Sequence, residues 1–258
     1  MRFVHMSGAG NCFLVADARV AGEDLSPERI PSIIADNRRN DGNAIEGVLL
    51  LRSCTKDHVI ADFYNPDGSH GMMCGNGSRC IVRFAADHGL DASRDVRLTL
   101  NARDYTARIA GHNIAVDFPA PSHVQHYPIG TLEGIHLDVW YVEVGSDHVV
   151  IDGPCESFRP EVLKLRHHRA FPRGANVNMV VPNDTLHIAT YERGVEAITG
   201  ACGTGALSCA VVQWMNNHTS TSFTLTPPSG RPLRVELHLQ DEHIVGMTLI
   251  GDATYDND

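Results

Sequence analysis

Two cysteines in this chain each open a Gly-x-Gly turn: Cys74 in Met73-Cys74-Gly75-Asn76-Gly77-Ser78-Arg79-Cys80, and Cys202 in Ala201-Cys202-Gly203-Thr204-Gly205-Ala206. An apolar run of helix length follows each, Ile81 to Ala86 and Leu207 to Trp214, which predicts both cysteines at helix N-termini. A thiol becomes acidic there, because the N–H groups and positive dipole end of a helix favour the thiolate, and the same amides are a ready site for a carboxylate. Two such thiols acting on one carbon suit a two-base inversion. One, as thiolate, removes a proton from an acidic C–H, and the other, as thiol, returns a proton to the opposite face. The α-hydrogen of an amino acid is a very weak acid whose carbanion must be stabilised. Amides from two helix N-termini around its carboxylate would oppose the developing charge, which is the kind of preorganised electrostatics that supplies the largest catalytic term. General acid–base transfer adds on the order of 10²–10⁴-fold.

Other chemistries fit the residues less well. Racemases that use pyridoxal phosphate hold it on a lysine, and this chain has only Lys56 and Lys164, neither in a glycine-rich phosphate context. The expectation is therefore a reaction without cofactor. Zinc wants paired thiols at short spacing, but Cys74/Cys80 and Cys202/Cys209 are too far apart and no histidine completes a set, so no metal is expected. Thioredoxin-type exchange lacks its Cys-x-x-Cys. Cys80 and Cys209, further into their helices, read as small buried fillers. The Gly-x-Gly turns alone are weak evidence for phosphate binding, and His167-His168 reads as a solvated pair.

The elements that must position the two cysteines come in a repeated order. A strand ending in Tyr64-Asn65 leads to the first cysteine loop and a strand ending in Tyr191-Glu192 leads to the second. A polar residue at a strand end, a glycine-bearing loop, Cys-Gly-x-Gly and a helix thus occur once per half, the pattern of a duplicated unit with a cleft between copies. Pro119-Ala120-Pro121 breaks the strand pattern and is the boundary expected between a first half, 1–118, carrying Cys74 and a second half, 119–258, carrying Cys202. In detail, His5 to Cys12 reads as a small-residue loop, Phe13 to Ala16 as a buried strand, and Glu28 to Asn37 as a helix capped by Ser26. Strands are expected at 47–51, 59–64, 96–100, 106–109, 114–118, 135–144, 149–151, 177–181, 186–191, 223–225, 233–239 and 245–250. The tail from Gly251 to Asp258 reads as loose.

The chain has 258 residues, 43% hydrophobic and 20% charged, the composition of a globular protein with a sizeable core. A formal charge of −10 with 21 Lys+Arg argues against nucleic acid or an anionic membrane surface as partner. No apolar run reaches signal-peptide or membrane-span length, and seven cysteines form no even framework, which together place the protein in the reducing cytoplasm.

The motifs resemble those of the diaminopimelate epimerase family, cofactor-independent two-cysteine isomerases. They are Gly10-Asn11-Cys12-Phe13, Tyr64-Asn65-Pro66-Asp67-Gly68-Ser69, Met73 to Cys80, Gly145-Ser146-Asp147-His148, Asn176-Val177-Asn178, Tyr191-Glu192-Arg193-Gly194 and Ala201 to Gly205. The resemblance implies an α/β fold of two pseudo-symmetric domains, each a curled mixed sheet around a central helix. It also implies a site in the cleft and commonly a homodimer. By the same resemblance, Cys74 and Cys202 are the acid–base pair, and the amides of Gly75, Asn76, Gly203 and Thr204 hold the reacting carboxylate. Asn11 contacts the substrate, with Asn65, Asn176 and Arg193 directed to its distal carboxylate; Arg193 is the specificity anchor, since an Arg–carboxylate contact can be bidentate. Glu192 meets an ammonium group, and His148 sits beside the chemistry with Ser146. Read alone, Glu192 and Arg193 would pass for an exposed ion pair.

Four departures from the family pattern leave the acid–base pair untouched. Cys12 stands where Asp is usual, Ser146-Asp147-His148 where Asn-Pro-His is common, Gly42-Asn43-Ala44-Ile45-Glu46-Gly47 for Gly-x-Gly-Ala-Asp-Gly, and Ile198-Thr199 for Glu-Thr. The expected reaction is epimerisation of LL-2,6-diaminopimelate to the meso form. Racemisation of proline, hydroxyproline or histidine on the same scaffold, and an amino-acid-binding protein without turnover, are the alternatives.

Overall fold

Every residue from Asn11 to Ala16 is buried, a run that belongs to a strand covered on both faces rather than to an amphipathic edge. In the computed structural model, which describes residues 1–19, 25–40, 42–71, 73–153, 159–181 and 186–256, this run forms β2. Two compact units divide the chain: Met1–Asp117 together with Ile250–Asp258, and Phe118–Leu249.

The first unit runs β1 (Phe3–Gly8), β2 (Asn11–Asp17), α1 (Ile30–Asp36), β3 (Ile45–Cys54), β4 (His58–Tyr64), α2 (Gly75–Ala86), β5 (Val96–Leu100), β6 (Arg103–Ala110) and β7 (Asn113–Pro119). Its strands pair in sequence order: β1 antiparallel to β2, β2 parallel to β3, β3 antiparallel to β4, β4 parallel to β5, then β5, β6 and β7 antiparallel. Helix α2 packs against β1, β2, β3 and β4, and ten of its residues are buried, Gly75 to Val82 and Phe84 to Ala85. A helix covered nearly all round is the centre around which a sheet curls.

The second unit runs β8 (His123–Tyr127), β9 (Val139–Glu143), β10 (Asp147–Asp152), α3 (Arg159–Arg166), β11 (Asn176–Val181), β12 (Leu186–Glu192), β13 (Ala197–Ile198), α4 (Gly203–Asn217), β14 (Ser222–Thr226), β15 (Leu233–Gln240) and β16 (His243–Asp252). Here β8 and β9 are antiparallel, as are β9 and β10; β10 is parallel to β11, β11 antiparallel to β12, β12 parallel to β14, and β14 antiparallel to β15. Helix α4 packs against β9, β10, β11, β12, β14 and β15, with Leu207, Cys209, Ala210 and Val211 wholly buried.

Read from β1 and from β9, the two units repeat one order of pairings: antiparallel, parallel, antiparallel, parallel, antiparallel. A short helix follows the second strand in each, α1 or α3, and the central helix follows the fourth. The repeat expected from the two cysteine loops is therefore a repeat of topology.

Several expectations need correction. His5 to Gly8 is strand, and only Ala9-Gly10 turns, with φ of 52° and 95°; small residues there serve close packing. A Cβ on Gly8 would stand 2.6 Å from the Asn76 carbonyl oxygen at the start of α2. Nor is the C-terminal tail loose as far as it is described: β16 continues to Asp252, and β17 (Thr254–Tyr255) pairs with β1. Asn257 and Asp258 lie outside the described residues. The segment Ile250–Asp258 thus counts with the first unit, where a contiguous half 119–258 was expected. The first helical turn begins as a 3-10 segment, Pro27–Arg29, and Ser26 precedes it without a side-chain cap bond. The strand expected over 135–144 is confined to β9, because Ile135 closes a turn onto the Leu132 carbonyl.

Candidate active site

In the first unit, the chain leaves β4 through a turn that only glycine can close. Gly68 has φ +87°, and a Cβ there would lie 2.2 Å from the Pro27 carbonyl oxygen. Asn65, at the start of this turn, donates from Nδ2 to Ser69 Oγ at 2.9 Å. Cys74 then caps α2: its backbone is extended, and its sulfur accepts the Gly77 N–H at 3.4 Å. Gly75 and Asn76 are the first two residues of the helix, whose N-terminal amides face past its end. Arg79 holds this end together. It is wholly buried and donates to the Gly75 carbonyl at 2.9 Å, Asn76 Oδ1 at 2.8 Å and the Asp252 carbonyl at 3.2 Å. Asn11, at the start of β2, is buried and donates to Glu46 Oε2 at 2.6 Å.

The second unit repeats the cysteine cap. Cys202 is extended, and its sulfur accepts the Gly205 N–H at 3.4 Å at the head of α4, where Gly203 and Thr204 open the helix. Around it the side chains of Thr204, His148 and Ser146 meet. Thr204 Oγ1 lies 3.5 Å from Cys202 Sγ and 2.9 Å from His148 Nε2, and Ser146 Oγ lies 2.9 Å from the same nitrogen and 3.3 Å from Thr204 Oγ1. His148 is wholly buried, and burial pushes its titration down to about 3 against the opposing pull of Asn178 and Asp147, so the imidazole is neutral at pH 7. Its other nitrogen, Nδ1, is 3.1 Å from Asn178 Nδ2. Glu192, at the end of β12, is hydrogen-bonded to Thr199 and to Cys202; burial raises its carboxyl and these two bonds oppose the rise.

Arg193 follows Glu192. Among the described residues, the bonds from its guanidinium all leave Nη1: to the carbonyls of Arg173 at 2.9 Å and Gly174 at 3.1 Å, and to Asp147 Oδ2 at 3.3 Å. Asn176 spends its amide on backbone, accepting the Arg193 N–H at 2.9 Å and donating to the Asp147 carbonyl at 3.0 Å. It therefore holds Arg193 in place. The structure thus gathers Cys74, Gly75 and Asn76 at one helix start, and Cys202, Gly203, Thr204, Ser146, His148 and Glu192 at the other. Asn11 and Asn65 sit at strand ends of the first unit, and Asn176 and Arg193 form a pair of their own. No three His, Cys, Asp or Glu side chains among the described residues come together as a metal site requires.

The sequence matches the model of a family described as diaminopimelate epimerase over residues 3–124 and 140–255. The chain belongs to the diaminopimelate epimerase family. Among relatives in that family, the diaminopimelate epimerase of Aquifex aeolicus is 35% identical over 83% of this chain and 82% of its own length. That of Gemmatimonas aurantiaca is 34% identical over 92% and 88%. The fold recurs at 13% identity in a crystal structure of a phenazine biosynthesis protein of the PhzF family from Bacillus anthracis, with a TM-score of 0.78 over 100% of this chain and 98% of that one.

Three residues of the site escaped sequence reasoning. Arg79 lies in the first cysteine motif, and its spacing of three and four from Asn76 and Gly75 is the helical register that folds a long side chain back onto the helix start. Asn178 shares a strand face with Asn176 by its spacing of two, a signal present in the Asn-Val-Asn motif. Asp147 carried no signal beyond its departure from the family pattern.

Proposed function

We propose that this protein interconverts LL-2,6-diaminopimelate and the meso isomer without a cofactor, with Cys74 and Cys202 as the two acid–base groups. One observation carries the reading. Each of two units with the same topology caps its central helix with a cysteine whose sulfur accepts the amide three residues on, at 3.4 Å in both cases. A sulfur so placed is stabilised as thiolate by the helix end, and a pair of them supplies one base and one acid. The thiolate takes the α-hydrogen as a proton, negative charge passes from sulfur to the α-carbon and its carboxylate, and the second thiol gives its proton to the opposite face. The thiol and thiolate have then exchanged places, so the enzyme runs the reverse reaction with the roles reversed.

Around this step, the amides of Gly75 and Asn76 and of Gly203 and Thr204 oppose charge on the reacting carboxylate. Arg193, steadied by Asn176 and Asp147, receives the distal carboxylate together with Asn65 and Asn176, and Glu192 an ammonium group. Asn11, Ser146 and His148 complete the substrate contacts. Family membership supports the choice of diaminopimelate, a precursor of lysine and peptidoglycan. The six described cysteines are free thiols, which supports a reducing cytoplasm; the homodimer is the family expectation.

The test is chiral chromatography of LL-diaminopimelate after incubation with the purified protein, beside a panel of L-proline, trans-4-hydroxy-L-proline and L-histidine. Formation of the meso isomer with inert panel compounds supports the reading. Racemisation of a monocarboxylate with diaminopimelate untouched would assign the site to another substrate.

A further inference from the structure

Beneath Cys202 runs a chain of buried polar groups that the reaction as proposed does not use. Thr190 Oγ1 donates to Asn178 Oδ1 at 2.9 Å, and Asn178 Nδ2 donates to the Val149 carbonyl at 2.9 Å and faces His148 Nδ1 at 3.1 Å. Asn178 and His148 are wholly buried, and Thr190 is 2% exposed. The two outer bonds fix which end of the Asn178 amide is oxygen and which nitrogen, because a hydroxyl donates to the first and a carbonyl requires the second to donate. Nδ1 of His148 therefore accepts. A neutral imidazole that accepts at Nδ1 carries its proton on Nε2, and that N–H points at Thr204 Oγ1 and Ser146 Oγ.

A hydroxyl has one hydrogen to give. Were Nε2 bare, it would draw on the hydroxyl hydrogens of Thr204 and Ser146, both 2.9 Å away, and compete with the sulfur for that of Thr204. With Nε2 already protonated, the Thr204 oxygen accepts and its hydrogen is left for Cys202 Sγ, 3.5 Å away. We propose that Asn178 and Thr190 are positioning residues that hold His148 as the Nε2–H tautomer, so that Thr204 donates to the Cys202 sulfur and favours the thiolate there. His148 is then a donor in this site and not the base that deprotonates a thiol. Cys202 also faces Glu192 from β12, which bonds it directly. Asp147 and Arg193 act on His148 by charge, and Cys209 further along α4 is a wholly buried thiol held neutral by its burial. None of these side chains is replaced by changes at Asn178 or Thr204. The value of the relay to catalysis rests on Cys202 being an acid–base group.

The test joins a tautomer measurement to a thiol titration on the full chain. Nitrogen-15 NMR of labelled histidine reads the His148 tautomer, and the rate of iodoacetamide alkylation against pH, mapped to the Cys202 peptide, reads the thiolate. In Asn178→Asp the new carboxylate accepts from Nδ1, the proton leaves Nε2, and Thr204 turns its hydrogen to the imidazole. Cys202 then titrates about one unit higher, which is about tenfold less thiolate below its titration point. Thr204→Val, which adds no charge and sits at the helix head, gives the same rise with the tautomer unchanged, and Thr204→Ser restores the wild-type titration. The proposal is overturned if Asn178→Asp keeps the Nε2–H tautomer, or if Thr204→Val leaves Cys202 titrating as in wild type. Should the relay behave as expected while Cys202→Ala still exchanges the substrate α-hydrogen, the relay stands and the two-thiol reading falls.

Discussion

Arg193 Nη1 lies 3.3 Å from Oδ2 of Asp147, a carboxylate that also receives Arg173 Nη2 at 2.6 Å and the Tyr141 hydroxyl. One nearly buried acid thereby gathers two arginines, and Glu143 Oε1 takes Arg173 Nη2 at 3.2 Å, so two arginines and two carboxylates form one network beside β10. Burial opposes the ionisation of Asp147, but the hydrogen bonds from Arg173 and Tyr141 and the charges of Arg173 and Arg193 hold its carboxyl below the usual range. A depressed carboxyl contributes stability that is present above its unfolded value, about 3.9, and is lost as pH falls through its folded value. Asp147→Asn is expected to cost about 1–2 kcal/mol at pH 7, with a deficit that shrinks as pH falls below about 4. Urea unfolding at several pH values measures it; a deficit independent of pH would mean that the ion pairs contribute nothing.

Arg79 is expected to be the most costly side chain to lose in the first unit. Arg79→Met removes donors from the Gly75 carbonyl, Asn76 Oδ1 and the Asp252 carbonyl together. Hydrogen bonds from a charged donor contribute about 1.5–3 kcal/mol each, and the Gly75 carbonyl keeps the Ser78 hydroxyl at 2.9 Å, so a loss of about 3 kcal/mol is expected. Because Gly75 and Asn76 begin α2 beside Cys74, turnover should fall in the fraction that remains folded. A loss under about 1 kcal/mol in denaturant titration would contradict the role given to Arg79.

The two Gly-x-Gly turns differ in what their second glycine faces. A Cβ on Gly77 would meet Cys74 Sγ, Leu49 Cδ1 and Phe13 Cε1 at 3.5 Å, which is ordinary contact. A Cβ on Gly205 would lie 2.5 Å from Asn178 Oδ1 and 2.7 Å from Thr190 Oγ1. Gly77→Ala is therefore tolerated, or stabilising by up to about 1 kcal/mol through helix propensity. Gly205→Ala displaces the buried pair and costs about 1–3 kcal/mol. Thermal unfolding of the two variants side by side checks the contrast, and equal effects would refute it.

His148 supplies a pH signature. Its folded titration lies near 3, against about 6.5 in the unfolded chain. Between these values the unfolded state binds a proton that the folded state does not, so stability rises with pH and falls on acidification from 6.5, by about 1.4 kcal/mol per pH unit. His148→Gln removes this contribution. The variant is expected to show a shallower loss of stability between pH 6.5 and pH 4 in guanidinium titrations, and an unchanged slope would show that the imidazole is protonated in the folded protein.

How much of this was legible in the sequence depended on range. Cys74 and Cys202 announce themselves because a cap, a glycine turn and an apolar helix are all local to a few residues. The strand-rich halves follow from alternating and continuous apolar runs, and the repeat of pairings follows from their order. What stayed hidden is long-range. The bond from Arg79 to Asp252 spans 173 positions, and β17 adds to β1 from the far end of the chain, which nothing local to the tail shows. Likewise the backbone groups of Arg193 and Asp147 that bond the Asn176 amide are brought to it by strand pairing, which its motif does not show. A motif identifies a polar side chain well before it tells which partner satisfies it.

The central claim, that two thiols carry protons on opposite faces of one carbon, is tested most directly by turnover of LL-diaminopimelate in D₂O. The account predicts that the first meso product carries one deuterium at the inverted α-carbon while the remaining LL substrate stays largely protiated, and that Cys74→Ala and Cys202→Ala each abolish product formation. Retention of protium at the inverted carbon, or near-normal epimerisation after loss of either cysteine, would contradict it.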